Sequence, residues 1–275
     1  MARGAVGTNF RPVGTALVTG ASSGIGRELA RLFAADGHSV VLVARRKPRL
    51  EELARELETG GRIKAWPIAC DLSTPSGVDA LLQTLATENV QVDFLVNNAG
   101  VGTTGRFVES PPEAEVAMAE LNVTAVVRLT RALLPGMLAR RHGRVLNIGS
   151  TAGFQPGPFM ATYYASKAFV NHFSEALAYE LAGSGVSVTL SCPGPTRTEF
   201  GDISGVARSK LFSLKVATAG SVARQAYRAL MRGRVLVIHG FLNWLAAQLT
   251  RVGPRSLVRA VVAGLNRPPA PGGAA

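Results

Sequence analysis

Short apolar runs alternate along the chain with segments whose apolar residues recur at helical spacing. Thr15–Thr19, Ser39–Val43, Lys64–Ala69, Phe94–Val96, Arg144–Ile148, Val186–Ser191 and Val235–Ile238 read as strands. The central runs are almost continuously apolar, as parallel strands covered on both faces are. Gly26–Ala35, Pro48–Leu57, Val78–Glu88, Pro112–Leu138, Thr162–Leu181 and Ser221–Arg232 read as helices between them. This alternation predicts the α/β class: a single doubly wound parallel sheet of Rossmann type, with right-handed crossovers and helices on both faces.

A length of 275 residues suits one such domain with an ample core. The expected layout is an N-terminal extension over 1–13, the domain over 14–267, and a disordered Pro/Gly/Ala tail over 268–275. Within the domain, 201–219 reads as a substrate loop and 241–266 as two C-terminal helices. Residues 1–13 carry Arg3 and Arg11 without a long apolar core, so no signal peptide is expected. No run reaches the roughly 18–20 apolar residues of a membrane span. The longest candidate, Val235 to Leu249, is interrupted by His239, Asn243 and Gln248. A cytoplasmic protein is expected. Cys70 and Cys192 end apolar runs and read as buried free thiols, and the four scattered histidines lack ligand spacing, so no metal site is expected.

The net charge of +12 is unevenly placed. No acidic residue follows Asp202, whereas eleven basic ones do, from Arg208 to Arg267. Leu242, Leu245, Leu249 and Val252 can form one apolar stripe in this basic quarter, and Leu257, Val258, Val261, Val262 and Leu265 another. Two readings stay open: an amphipathic anchor on an anionic membrane, with Trp244 at the interface, or helices that cap a cleft or meet another subunit. Nucleic acid is the weaker partner for this charge, because the arginines are interspersed with apolar residues and no recognition motif is present.

The chemistry concentrates in Tyr163-Tyr164-Ala165-Ser166-Lys167. Four positions on a helix place Tyr163 and Lys167 on one face. A nearby ammonium favours phenolate, so Lys167 is expected to lower the pKa of Tyr163, which can then exchange a proton with a substrate oxygen. Ser150 stands thirteen residues upstream, at the end of the fifth strand, where ligands bind such sheets; its hydroxyl can donate to a substrate carbonyl, or satisfy a loop.

The first βα turn reads Thr19-Gly20-Ala21-Ser22-Ser23-Gly24-Ile25-Gly26. Its glycines allow a tight turn and close approach of phosphate to a helix N-terminus. Arg45 and Arg46 end the second strand, where an acid would accept from the ribose of NAD; arginine matches a 2′-phosphate, which favours NADP(H) over NAD(H). Asp71 either accepts from an adenine amino group or holds a turn. Asn97, Asn98, Ala99 and Gly100 close the fourth strand, either as small groups that let backbone approach a flat ring or simply as turn formers. Asn122 sits inside the long helix Pro112–Leu138 as a poor helix former, either locally bonded or functional. After the sixth strand, Pro193 and Gly194 fix a loop able to wall a nicotinamide, and Thr198 can bond phosphate or carboxamide.

TGASSGIG at 19–26, NNAG at 97–100, Asn122, Ser150, YxxxK at 163–167 and PGxxxT at 193–198 together resemble the short-chain dehydrogenase/reductase family, over about residues 14–240. The chain is similar to a bacterial branch near ketoacyl and hydroxysteroid reductases. The resemblance implies a tetrad: Tyr163 as general acid/base, Ser150 orienting the substrate oxygen, Lys167 tuning Tyr163 and binding the nicotinamide ribose, and Asn122 holding a relay water. It also implies cofactor contacts at Gly20, Ser22, Ser23, Gly24, Ile25, Gly26, Asp71, Leu72, Asn98, Ala99 and Gly100. Thr196 stands where many members carry Val or Ile; its backbone can still meet the carboxamide. The resemblance implies a homodimer or homotetramer through helices 112–138 and 162–181. The expected function is NADP(H)-dependent interconversion of a ketone or aldehyde and an alcohol, on a lipid-, acyl- or steroid-like substrate. The alternative is a catalytically silent NADP(H)-binding module that senses redox state or docks at a membrane.

Overall fold

Seven parallel strands in the order β3-β2-β1-β4-β5-β6-β9 form the central sheet of the computed structural model, which describes residues 13–205 and 216–268. The strands are β1 (Thr15–Thr19), β2 (Ser39–Ala44), β3 (Ala65–Ala69), β4 (Phe94–Asn97), β5 (Gly143–Ile148), β6 (Val186–Cys192) and β9 (Leu236–Ile238). Each lies within a residue or so of its predicted span. The parts of the N-terminal extension, loop and tail that cover 1–12, 206–215 and 269–275 lie outside the described residues. A short parallel pair, β7 (Thr196–Arg197) and β8 (Ala217–Thr218), flanks the loop.

Alternate residues of each central strand face opposite layers. Ala16, Val18, Val40 and Leu42 pack with Leu29 and Phe33 of α1 (Gly24–Ala35), Leu50 of α2 (Lys47–Glu58) and Leu230 of α8 (Ala219–Met231). Leu17, Val41, Val43 and Leu95 face Leu81 and Leu85 of α3 (Pro75–Thr87) and Leu129 and Met137 of α5 (Ala125–Ala139). Burial on both faces explains why these strands are apolar without alternation.

The helix predicted over Pro112–Leu138 is not continuous. It divides into α4 (Pro112–Ala119) and α5, joined by a π turn over Glu120–Thr124. Asn122 lies in that turn and is buried. A π turn inside a helix is frequently a sign of a functional position. The helix that carries Tyr163 and Lys167 is α6 (Ala161–Glu180), and α7 (Glu199–Ile203) follows β7.

The two predicted C-terminal stripes have different fates. On α10 (Arg255–Asn266) Val262 is buried and Val258 half-buried against the body. On α9 (Phe241–Val252) all four residues of the stripe, Leu242, Leu245, Leu249 and Val252, are exposed. Cys192 is a buried free thiol as expected; Cys70 is free but only half-buried.

Candidate active site

The carboxyl ends of β1, β4, β5 and β6 bring the predicted residues to one edge of the sheet. After β1 the chain turns at Gly20, with φ +67°, and Gly24, with φ +57°, a region where a side chain is strained. A Cβ at Gly26 would stand 2.5 Å from Gly20 O and 2.4 Å from Asn98 Nδ2, so helix α1 can approach the β4 turn only through glycine. Ser23 precedes α1 without capping it through its side chain, and the first turn carries no acid. The amide groups of that turn therefore face the loop with the positive end of the helix dipole behind them.

Thr19 organises the opposite wall. Its Oγ1 accepts from Asn98 N and Ala99 N, each at 2.9 Å, and donates to Val96 O at 3.1 Å. Asn98 Nδ2 returns a bond to Thr19 O at 2.8 Å. The NNAG turn is thus held from β1. Below it, buried Asn97 donates to Asn147 Oδ1 at 2.8 Å, and Asn147 to Ser174 Oγ at 2.8 Å.

Arg46 reaches over the glycine loop. Its Nη2 donates to Ser22 Oγ at 3.0 Å and Ser23 Oγ at 3.2 Å, while Nη1 pairs with Glu199 at 2.8 Å. Arg49 pairs with the same carboxylate, which together with Arg46 holds its pKa below the usual range. A cavity of about 190 Å³ opens here, lined by Ser22, Arg49, Leu53 and Glu199 among others. Arg45 is exposed instead and acts on Asp71 through its charge. Asp71 Oδ1 accepts from Ser73 N at 3.0 Å and Ser73 Oγ at 2.7 Å, so of its two predicted roles the turn is the one its contacts fill. Those Ser73 bonds are the main cause of its lowered pKa. Leu72 is buried beneath it.

Ser150 ends β5 in extended backbone and accepts from Ala152 N at 3.1 Å through its hydroxyl. Its carbonyl accepts from Asn171 Nδ2 at 3.1 Å, which fixes the strand end against α6. The Ser150 hydroxyl also acts on the Tyr163 phenol, lowering its pKa against the effect of burial. Lys167, one turn along α6 from Tyr163, is buried, donates to Ile148 O at 2.8 Å, and lies 6.0 Å from the Tyr163 ring centroid. A Cβ on Gly100 would meet Asn122 Oδ1 at 3.2 Å and Lys167 Nζ at 3.5 Å. Asn122, Lys167 and the β4 turn therefore converge.

One expectation is corrected here. The Tyr163 pKa is not lowered overall: burial pushes it up to about 12, with the Ser150 hydroxyl opposing. The ammonium of Lys167 is engaged with a carbonyl and is itself penalised by burial, which brings its pKa down to about 8. Asn122 is locally bonded, one of the two readings its place in the helix left open. Its Oδ1 accepts from Val101 N at 3.0 Å, and its Nδ2 donates to Val101 O at 2.9 Å and Ser166 Oγ at 3.0 Å. Ser166 Oγ in turn donates to Tyr163 O at 2.7 Å. The side chain ties the π turn to Val101 and, through Ser166, to the Tyr163 backbone.

The sixth-strand loop closes the site. Pro193 O accepts from Thr151 N at 3.0 Å, Gly194 packs against Asn243 of α9, and Thr196 Oγ1 donates to Gly194 O at 2.9 Å. Thr198 stands 3.1 Å from where a Gly24 side chain would begin, so this loop and the glycine loop touch. On the far side of Tyr163 the surroundings are apolar. Phe200 packs on the Tyr163 ring at 5.3 Å, and Met160, Tyr164, Val258 and Val262 complete the cluster. Asn266 pins the end of α10 by bonding Tyr164 OH at 3.0 Å and Pro158 O at 3.2 Å. Sequence reading missed Thr19, Ser166, Asn171, Glu199, Phe200 and Asn266 as parts of the site; Thr19, directly before the glycine turn, and Ser166, inside the Tyr163–Lys167 motif, carry a local signal. Val258 and Val262 are legible only as part of a stripe on helices that either cap a cleft or face elsewhere.

Residues 14–205 match the short chain dehydrogenase family. A short chain dehydrogenase of Pseudocercospora fijiensis is 40% identical over 189 residues, 68% of this chain and 61% of that relative, so the chain matches less than two thirds of its length. A sulfoacetaldehyde reductase of Chromohalobacter salexigens is 42% identical over 185 residues, 66% of this chain and 72% of that protein. Among solved structures, a short-chain dehydrogenase from Sphingobium yanoikuyae in complex with NADPH superposes with a TM-score of 0.78 at 35% identity, covering 90% of this chain and 97% of that one. With the glycine turn, the Ser150–Tyr163–Lys167 cluster and these matches in agreement, the chain belongs to the short-chain dehydrogenase/reductase family.

Proposed function

We propose that this chain is an NADP(H)-dependent oxidoreductase that interconverts a ketone or aldehyde and an alcohol on an apolar substrate. The observation that carries the reading is the meeting of Ser150, Tyr163 and Lys167 beside Gly100, at the edge where the glycine turn opens. The residues fit a dinucleotide. The loop at 20–26 and the uncapped start of α1 suit a diphosphate, Asn98 to Gly100 suit a flat ring, and Arg46 between Ser22 and Ser23 suits a 2′-phosphate. Bound there, the nicotinamide supplies or accepts the hydride.

The chain's own part is proton transfer and position. At neutral pH Tyr163, with a pKa of about 12, holds its proton and is set to give it to a carbonyl oxygen as the carbon is reduced. Ser150, whose hydroxyl influences the Tyr163 phenol, orients the same oxygen. Lys167 stands one turn from Tyr163 as a buried amine whose pKa of about 8 leaves it mostly protonated at neutral pH, placed to return a proton to the phenolate left after transfer. The apolar wall of Phe200, Met160, Val258 and Val262 supports a hydrophobic carbonyl compound. Val116, Phe169 and Tyr179 are exposed on α4 and α6 and support a homodimer through these helices.

The test is fluorescence titration with NADPH and NADH, using wild type, Arg46→Ala and Tyr163→Phe, followed by a screen of apolar ketones. NADPH preference that collapses in Arg46→Ala, with turnover lost but cofactor binding kept in Tyr163→Phe, supports the reading. Preference for NADH overturns the role given to Arg46, and turnover unchanged in Tyr163→Phe overturns the mechanism.

A further inference from the structure

Helix α9 is built inside out. Toward the body it turns Asn243, which donates to His239 O at 2.7 Å, and buried Ala247. Away from the body it turns Phe241, Leu242, Leu245, Leu249 and Val252, with Leu242 77% and Val252 83% exposed. Trp244 is also exposed and stacks on Phe241 at 5.9 Å. Scattered exposed apolar residues are ordinary, but a whole stripe at helical spacing is not. Beyond the Gly253-Pro254 joint, α10 continues the pattern with Leu257 and Val261 exposed.

The charges carried by α9 and α10 have one sign. Arg251, Arg255 and Arg259 are exposed, none takes part in an ion pair among the described residues, and no acid occurs in the sequence after Asp202. Two-fold pairing of this face with a second copy would set arginines against arginines with no acid to compensate. Nucleic acid would meet the arginines but leave the leucines in water. A bilayer with anionic headgroups satisfies both parts: apolar side chains enter the acyl boundary while the arginines stay at the phosphates. Among the described residues no helix is long and apolar enough to cross a membrane, so contact would be peripheral.

We propose that the outer face of α9 and α10 seats the protein on an anionic phospholipid surface. Helix α10 then stands between two apolar environments, with Val258 and Val262 beside Tyr163 and Phe200 on its inner side and Leu257 and Val261 on its outer side. An apolar substrate could pass from one to the other; that link rests on the oxidoreductase reading, whereas the docking itself does not.

The experiment is co-sedimentation of the full chain with vesicles of phosphatidylglycerol or of phosphatidylcholine. Two triple variants run beside the wild type: Leu242→Gln/Leu245→Gln/Leu249→Gln and Arg251→Gln/Arg255→Gln/Arg259→Gln. All six side chains are exposed, and an unchanged thermal melt and cofactor titration would verify that the variants fold. The wild type is expected to sediment with phosphatidylglycerol and to stay in solution with phosphatidylcholine. The arginine variant should bind phosphatidylglycerol roughly a hundredfold more weakly, and the leucine variant should also be released. Wild type left in solution with both vesicles overturns the proposal. So does binding untouched by either variant, or sedimentation equilibrium showing a dimer that the leucine variant breaks while vesicle binding persists. Vesicle binding is read without turnover, so its outcome is separate from that of the catalytic reading.

Discussion

The Glu199 carboxylate lies 2.8 Å from Arg46 and also pairs with Arg49, so a side chain from 150 residues away in the sequence sits on the cations that end the second βα turn. The same Arg46 touches Ser22 and Ser23 of the glycine loop. A 2′-phosphate at this cradle must share the guanidinium groups with the carboxylate or displace it. Both pairs are partly exposed and therefore screened, which keeps the competition modest. Glu199→Gln is expected to tighten NADPH about tenfold and to leave NADH little changed. Paired fluorescence titrations check this, and equal gains for both nucleotides would separate Glu199 from the phosphate.

Loss of the Tyr163 hydroxyl should remove the proposed proton donor without opening the proposed cofactor site. The ring packs against Phe200 and Tyr164, and Phe keeps those contacts. Tyr163→Phe is expected to lower kcat by about 10²–10⁴-fold, the span of general acid catalysis, with NADPH affinity held. Steady-state kinetics and titration on one preparation test both halves.

The burial of Lys167 makes a signed prediction about stability. Its pKa falls from 10.5 to about 8 in the fold. Between these values the unfolded chain keeps a proton that the folded chain has released, so stability rises with pH across the window. Tyr163, raised above 10, contributes an opposite slope only above pH 10. Relative to Lys167→Met, the wild type should therefore gain about 2 kcal/mol between pH 8 and pH 10. Urea unfolding of both proteins at the two pH values measures it.

The apolar runs made the seven-stranded sheet legible, because burial on both faces leaves no polar position to confuse the pattern. The glycine turn, Ser150 and the Tyr163–Lys167 pair were legible because their chemistry depends on local spacing. What stayed hidden depends on contacts between distant segments. The π turn at Asn122 is held by Val101 and Ser166, and between 112 and 138 only Asn122 itself, as a poor helix former, hints at it. The lowered Tyr163 pKa was expected from spacing alone, whereas its sign is set by burial under residues such as Phe200 and Val262. Periodicity found both C-terminal stripes but not their direction, since the same spacing serves a face turned inward or outward.

Asn122 is a structural tie as well as a member of the expected tetrad. Asn122→Ala leaves the Val101 amide and carbonyl and the Ser166 hydroxyl short of a partner in a buried setting. The expected cost is about 2–4 kcal/mol. Asn122→Asp keeps the acceptor for Val101 N but loses both donors, so it should also destabilise. Denaturant unfolding of the two variants, with a stability equal to wild type in Asn122→Ala as the contrary result, decides whether this amide holds the turn.

Thr19 offers a test that separates cofactor shape from cofactor charge. It is buried, and its one hydroxyl receives two backbone amides, those of Asn98 and Ala99, at equal distances of 2.9 Å. Thr19→Val preserves shape and β-branching but leaves both amides unpaired, at a cost of about 2–4 kcal/mol. The turn at 97–100 should loosen where the proposed nicotinamide ring would approach it. NADPH and NADH should then weaken together, unlike in Arg46→Ala, where only the phosphate-bearing nucleotide should suffer.

The hydrogen bonds of Asn266 bear on substrate binding rather than on chemistry. Asn266 is fully buried and joins α10 to Tyr164, the neighbour of Tyr163, and to Pro158. Asn266→Ala would leave the Tyr164 hydroxyl and the Pro158 carbonyl without this partner, and the end of α10 would keep Val258 and Val262 against the body and Arg267 over the Phe159 ring. The expected loss is about 1–3 kcal/mol of stability. Because Val258 and Val262 form the apolar wall beside Tyr163, a less firmly seated α10 should raise KM for a hydrophobic ketone. Ser150, Tyr163 and Lys167 are anchored through β5 and α6 and keep their positions, so kcat should change little. A variant that instead loses kcat at unchanged KM would show that α10 governs the proton-transfer geometry and not the fit of the substrate.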